Sequence, residues 1–119
     1  MHVLEHFHEW EAKPLLEEWR RVLKPGGKLI LELPCMDKVL HQLAAVLTAG
    51  HQVSPTLSWH VFWGDPKYRD PAMCHRWGYT YGMLERLLLS ASFVRVSFPE
   101  PRYHFAIRDM RAEAFKPEV

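Results

Sequence analysis

Apolar positions along this chain follow two periods, and glycine and proline mark where one gives way to the other. Leu15, Leu16, Trp19, Val22 and Leu23 recur at spacings of three and four, with Glu17, Glu18, Arg20 and Arg21 between them. That period predicts an amphipathic helix over residues 14–23, with Pro14 in its first turn and its apolar stripe turned inward. Lys24-Pro25-Gly26-Gly27 stops it, because proline cannot continue a helix and glycine can reverse the chain. Residues 28–33 then run nearly without polar interruption to Pro34, which predicts a strand buried on both faces. Helix, glycine turn and buried strand together make half of a βαβ unit.

The next segment repeats the helical period. Asp37 is placed to cap a helix in which Val39, Leu40, Leu43, Val46 and Leu47 form the inward stripe, and Gly50 ends it. From 51 to 78 periodicity dissolves into prolines, tryptophans and charges, predicting a long loop lying over a pocket. Thr80 caps a third helix with Met83, Leu84, Leu87, Leu88 and Ala91 facing inward. Residues 93–98 read as a strand, Pro99 and Pro101 break it, and 109–116 read as another, with Met110, Ala112 and Ala114 on one face. The expected class is α/β, with helices on a mixed sheet of three strands, in one domain spanning 1–119.

Composition narrows the function. The 119 residues carry 15 basic and 14 acidic side chains, a formal charge of +1, without the charged blocks that attract nucleic acid. No apolar run approaches the roughly 20 residues of a membrane span. No basic segment followed by an apolar stretch opens the chain, so a cytoplasmic setting is the expectation. Cys35 and Cys74 lack paired spacing and read as free thiols.

Residues His2-Val3-Leu4-Glu5-His6 match the HxxEH metalloprotease signature. That chemistry needs the pentapeptide on a helix and a further acidic ligand from elsewhere. No second ligand motif follows, so a metal-dependent hydrolase on His2, Glu5 and His6 is the weakest of three readings and no metal is expected. The same residues, followed by an amphipathic helix closing in Trp19-Arg20-Arg21-Val22-Leu23-Lys24-Pro25-Gly26-Gly27-Lys28-Leu29, resemble the segment after strand four of class I S-adenosylmethionine-dependent methyltransferases. His75-Arg76-Trp77-Gly78-Tyr79-Thr80 is similar to that family's approach to its late helix. Leu87-Leu88-Leu89-Ser90-Ala91-Ser92-Phe93 is similar to its entry into strand six, with Ser92 where the family has glycine.

The resemblance implies part of a seven-stranded sheet ordered 3-2-1-4-5-7-6. Residues 28–34 would be strand five, 93–98 strand six and 109–116 strand seven, antiparallel to its neighbours, while 1–7 would be the loop leaving strand four. The family's glycine-rich turn after strand one and its acidic residue ending strand two have no counterpart here; glycine admits the ligand to the backbone and the carboxylate takes the ribose hydroxyls. The chain therefore looks like the carboxyl-terminal half of such a domain, expected not to bind S-adenosylmethionine or to catalyse alone. By the same resemblance His6 (as a base) and Glu5 are the candidate catalytic residues, and His2 and Leu4 would lie beside the cofactor. Cys35, Trp59, His75, Arg76 and Trp77 would meet the substrate. Arg108 and Asp109 read as a surface ion pair of little energetic weight. Strand 28–34 would lose a neighbour, and its exposed edge predicts either a homodimer or pairing with an N-terminal half. The rival reading is a non-catalytic module that uses this edge for self-association or partner binding.

Overall fold

The computed structural model describes residues 3–52 and 54–119; His2 lies outside the described residues. Four helices and three strands follow in the order α1 (Glu9–Val22), β1 (Lys28–Pro34), α2 (Met36–Thr48), α3 (Trp59–Trp63), α4 (Tyr81–Ser90), β2 (Val94–Ser97) and β3 (Asp109–Phe115). The strands form one sheet in the order β1-β3-β2, both pairings antiparallel. This is the order expected for strands five, seven and six.

Register explains the two faces. Leu29 lies opposite Ala114, Leu31 opposite Ala112 and Leu33 opposite Met110. Alternate side chains of a strand share a face, so these six residues make one apolar surface, packed with Ala12 and Leu16 of α1 and Leu84 and Leu88 of α4. The alanines of β3 leave room for the two helices to approach. On the opposite face Glu32 pairs with Arg111 at 2.9 Å, both side chains at most 3% exposed. The Glu32 carboxylate also accepts the backbone N–H groups of Arg102 and Tyr103, and His104 Nδ1 lies 2.9 Å away. Burial of β1 is thus less continuous than expected, with Lys28 exposed and Ile30 half-buried, and its second face is closed around Glu32 by a polar loop rather than by a helix. Burial pushes the Glu32 carboxyl up, and the donors from Arg102, His104, Arg111 and Tyr103 outweigh it, bringing it to about 2.

Several helix boundaries differ from the expectation. Helix α1 begins at Glu9, five residues before Pro14, because the Glu11 carboxylate accepts the His8 backbone N–H at 2.9 Å and Glu9 and Glu11 place negative charge at the helix start. Pro14 stands inside the helix, and Val22 is exposed. Cys35, not Asp37, occupies the cap of α2; Asp37 takes the Tyr81 backbone N–H at 2.6 Å and so ties α2 to the start of α4. Only the first turn of α2 is fully buried, where Met36 and Val39 meet Val61 and Phe62; Leu43 and Val46 are half-buried, and Leu40 and Leu47 are exposed. Thr80 caps α4 as expected, its hydroxyl accepting Met83 N–H at 3.1 Å, although Met83 itself is exposed.

Two helix ends show the same closure with different residues. At α2, His51 N–H reaches Val46 O and Gly50 N–H reaches Leu47 O, with Gly50 at φ 77°. At α4, Phe93 N–H reaches Leu88 O and Ser92 N–H reaches Leu89 O, with Ser92 at φ 70°. Both are Schellman ends, whose left-handed residue favours glycine. Ser92 therefore carries the strain that a glycine would avoid, and buried Phe93 fixes it there.

Residues 51–78 are not a structureless loop. They hold α3 and three single 3-10 turns at Pro55–Leu57, Pro66–Tyr68 and Pro71–Met73. Each turn opens on a proline, whose fixed φ suits a helical first position. Asp65 and Asp70 cap the last two, accepting Lys67 N–H and Ala72 N–H at 3.0 Å.

Candidate functional site

A cavity of about 440 Å³ lies where three segments meet, and His6, His60, Tyr68, His75, Phe105 and Arg108 contribute to its wall. Pro34 ends β1 opposite Asp109, which begins β3, so Arg108 marks the carboxyl end of β1. Crevices at the carboxyl ends of strands are where open α/β sheets bind ligands.

The amino-terminal segment brings His6 there. Residues Leu4–His6 form a 3-10 turn whose Leu4 is fully buried in the main core. Arg76 clamps this turn: its backbone N–H donates to Glu5 O at 2.7 Å, its Nη1 to His6 O at 2.6 Å and its Nη2 to Pro71 O at 2.9 Å. One arginine thus joins the amino-terminal turn to the segment that covers it.

His75 arrives from that covering segment. Its backbone N–H donates to Trp63 O at 3.2 Å, a contact made possible by Gly64. Gly64 sits at φ 93°, and a Cβ there would stand 2.6 Å from Met73 O, closer than any side chain tolerates. The rings of His6 and His75 meet edge to face with centroids 4.9 Å apart. His6 Nδ1 lies 3.2 Å from Cys74 O and His75 Nδ1 lies 2.7 Å from Val61 O. A carbonyl oxygen only accepts, so each Nδ1 is the donor in these contacts.

Arg108 closes the third side. Its Nη1 donates to Thr56 O at 2.8 Å, its guanidinium stacks 5.1 Å from the Phe105 ring centre, and its Nε lies 3.5 Å from Asp109 Oδ1. The ion pair expected with Asp109 is present, but Asp109 is fully buried rather than on the surface. Lys38 of α2 donates to Ala106 O and Asp109 O, and Gln42 donates to Ile107 O, which holds the loop that presents Arg108.

Of the residues singled out in the sequence, His6 and His75 line this cavity and Glu5 lies beside them, 1% exposed. Arg76 acts on backbone, as described. Trp77 lines a separate groove with Glu9, Tyr79 and Met83. Burial, and then the nearby charges of Glu9 and Glu5, push the Tyr79 hydroxyl up to about 12. Trp59 packs against Phe62 and Trp63. Cys35 is fully buried and its thiol is pushed up by that burial, so it stays protonated at neutral pH. Asp65, Met73 and Phe105 also line the cavity and were not legible as site residues, because nothing in their spacing marks the fold that gathers them.

Residues 1–31 match the family described as a methyltransferase domain. Among solved structures, the CurJ carbon methyltransferase superposes on 98% of this chain at 19% identity with a TM-score of 0.54, and a possible exported protein from Bordetella parapertussis on 98% at 20% identity and 0.52. The chain spans 28% and 36% of the length of those two proteins. No curated protein matches the sequence. These likenesses show a methyltransferase-type fold, and the strand order β1-β3-β2 agrees with the order expected for strands five, seven and six.

Proposed function

We propose that this chain forms the acceptor side of a class I methyltransferase and that S-adenosylmethionine is held mainly by residues outside it. The observation that carries this reading is the cavity at the carboxyl end of β1, where the Leu4–His6 turn meets the 51–78 cover and Arg108. In methyl transfer an O, N or C nucleophile attacks the sulfonium methyl carbon, the sulfur–carbon bond breaks, and the acceptor's proton passes to a base. The cofactor supplies the electrophilic methyl group. This chain supplies position: Phe105 and Tyr68 offer flat apolar faces, Arg108 offers a fixed cation, and His6 places an imidazole in the same wall as the candidate base. An acceptor combining an aromatic or apolar body with a negative group suits that lining.

The edge of β1 supports the same reading. Among the described residues β1 has one neighbour, β3, although five of its seven residues are buried. A strand so apolar belongs inside a larger sheet, and the edge turned away from β3 would be covered by strand four of an N-terminal half or, failing that, by a second copy of β1. The alternative, a self-association module, differs in needing only the second copy.

Calorimetry separates the two. S-adenosylmethionine titrated into the chain alone should give no binding heat, and the chain mixed with a segment supplying strands one to four should bind it. Tight binding by the chain alone would sink the acceptor-side reading, and a stable homodimer that refuses the added segment would favour the module.

A further inference from the structure

We infer that Glu5, His6 and His75 form a binding site for a divalent first-row transition-metal ion of the zinc class, facing the cavity beside Arg108. The ligating atoms of the three side chains lie within 4.8 Å of one another, with Glu5 buried and both histidines half-buried. Ligand bonds of about 2.0–2.1 Å bring donor atoms to roughly 3 Å from each other, so small rotamer changes close the shell. Three features of the structure favour a metal over a mere polar cluster.

First, the tautomers are set. His6 Nδ1 donates to Cys74 O and His75 Nδ1 to Val61 O, so each ring is anchored through one nitrogen to a backbone carbonyl. Metal-bound histidines are held this way, with the second ring nitrogen fixed by a carbonyl or carboxylate. Second, the donors come from two segments that Arg76 locks together, its N–H on Glu5 O and its Nη1 on His6 O, while His75 N–H on Trp63 O braces the second segment. The site is thus built before any ion arrives. Third, two imidazoles and one carboxylate leave coordination positions open, and His6 and His75 both line the 440 Å³ cavity. An ion there would place positive charge opposite Arg108 and take an oxygen ligand from the cavity.

This donor set differs from the one spelled by the amino-terminal pentapeptide. His75, distant in sequence, takes the place that the HxxEH spacing would give to His2. The inference stands on the geometry of three side chains and does not rest on the methyl-transfer reading. Where the two meet, it changes His6 from a base into a ligand, and a metal-bound acceptor hydroxyl would lose its proton to solvent instead.

The test uses the full chain without an affinity tag, stripped with chelator and titrated with Zn²⁺ and Co²⁺ by calorimetry. One equivalent should bind. His75→Asn, which keeps a donor for Val61 O but removes Nε2, and Glu5→Gln should each weaken binding at least tenfold, while His8→Ala and His41→Ala leave it unchanged. X-ray absorption of the zinc-loaded wild-type chain should show two imidazole nitrogens among otherwise oxygen ligands, a reading independent of whether a variant folds. Failure to bind an equivalent, unaltered affinity in His75→Asn, loss of binding in His8→Ala, or a shell of three imidazoles would each overturn the site.

Discussion

Replacing Glu32 by glutamine keeps the shape of the side chain and removes the charge that the second sheet face is built around. In the native chain that carboxylate receives Arg111 Nη1 at 2.9 Å, Arg102 N–H at 2.8 Å and Tyr103 N–H at 3.1 Å, all out of water. Its pKa falls from an ordinary 4.5 to about 2, so the ionised form is favoured in the fold by on the order of 3 kcal/mol. Arg111 keeps a second partner, Glu113 at 2.9 Å, which softens the loss of Glu32 but does not replace it. The expected cost of Glu32→Gln at pH 7 is therefore about 2–4 kcal/mol, in the range for breaking one side of a buried pair. The sign with pH follows from the lowered value: the stabilisation is fully present above pH 4.5 and is lost as pH falls from 4.5 through about 2. Urea unfolding at pH 7, 5, 4, 3 and 2.5 should show wild type losing its advantage over the variant across the acidic points. A variant within about 0.5 kcal/mol of wild type at pH 7, with the same acid slope, would refute the assignment of Glu32 as the charge that anchors the 99–108 segment.

Other outcomes follow from single positions. Ser92→Gly relieves the left-handed strain at the end of α4 and should raise stability by about 0.5–1 kcal/mol, seen as a higher urea midpoint. Gly64→Ala, with a Cβ driven into Met73 O, should cost about 2 kcal/mol or more and loosen His75 from Trp63 O, detectable as lost amide protection at His75. Arg76→Met removes two charge-assisted bonds to His6 O and Pro71 O, and should lower stability by about 2 kcal/mol and expose the 51–78 cover to proteolysis before the sheet. Thr80→Ala removes the cap of α4 and should cost about 1 kcal/mol by denaturant unfolding.

How much of this was written in the sequence depends on the range of the interaction. The apolar run 28–33, the cap Thr80 and the alternation of Met110, Ala112 and Ala114 are local signals, and each landed where its period placed it. The start of α1 was missed because Pro14 looked like a first-turn proline, while the true entry depends on a glutamate reaching back to a backbone N–H three residues earlier. The apolar stripe of α2 suggested burial, yet periodicity records only amphipathicity and not what covers the face; here Leu40 and Leu47 remain open. The site was half legible. Glu5, His6 and His75 stood out by residue type, but their meeting depends on Arg76 and Gly64 bringing segments about 70 positions apart into contact, as the Arg76 to His6 bond does across a separation of 70. Phe105 and Asp65 carry no pattern at all and join the cavity only through the fold.

The central proposal is that β1 is an interior strand, completed on its second edge by strand four of an N-terminal half or by a second copy. Amide hydrogen exchange over residues 28–34 tests it most directly. At low concentration, the β1 amides of Leu29, Leu31 and Leu33, directed toward β3, should be protected, while the Glu32 amide on the other edge should exchange faster and become protected once a strand-four segment or a second copy is added. Uniform protection of every β1 amide in a monomer, unchanged by concentration or by the added segment, would contradict the account.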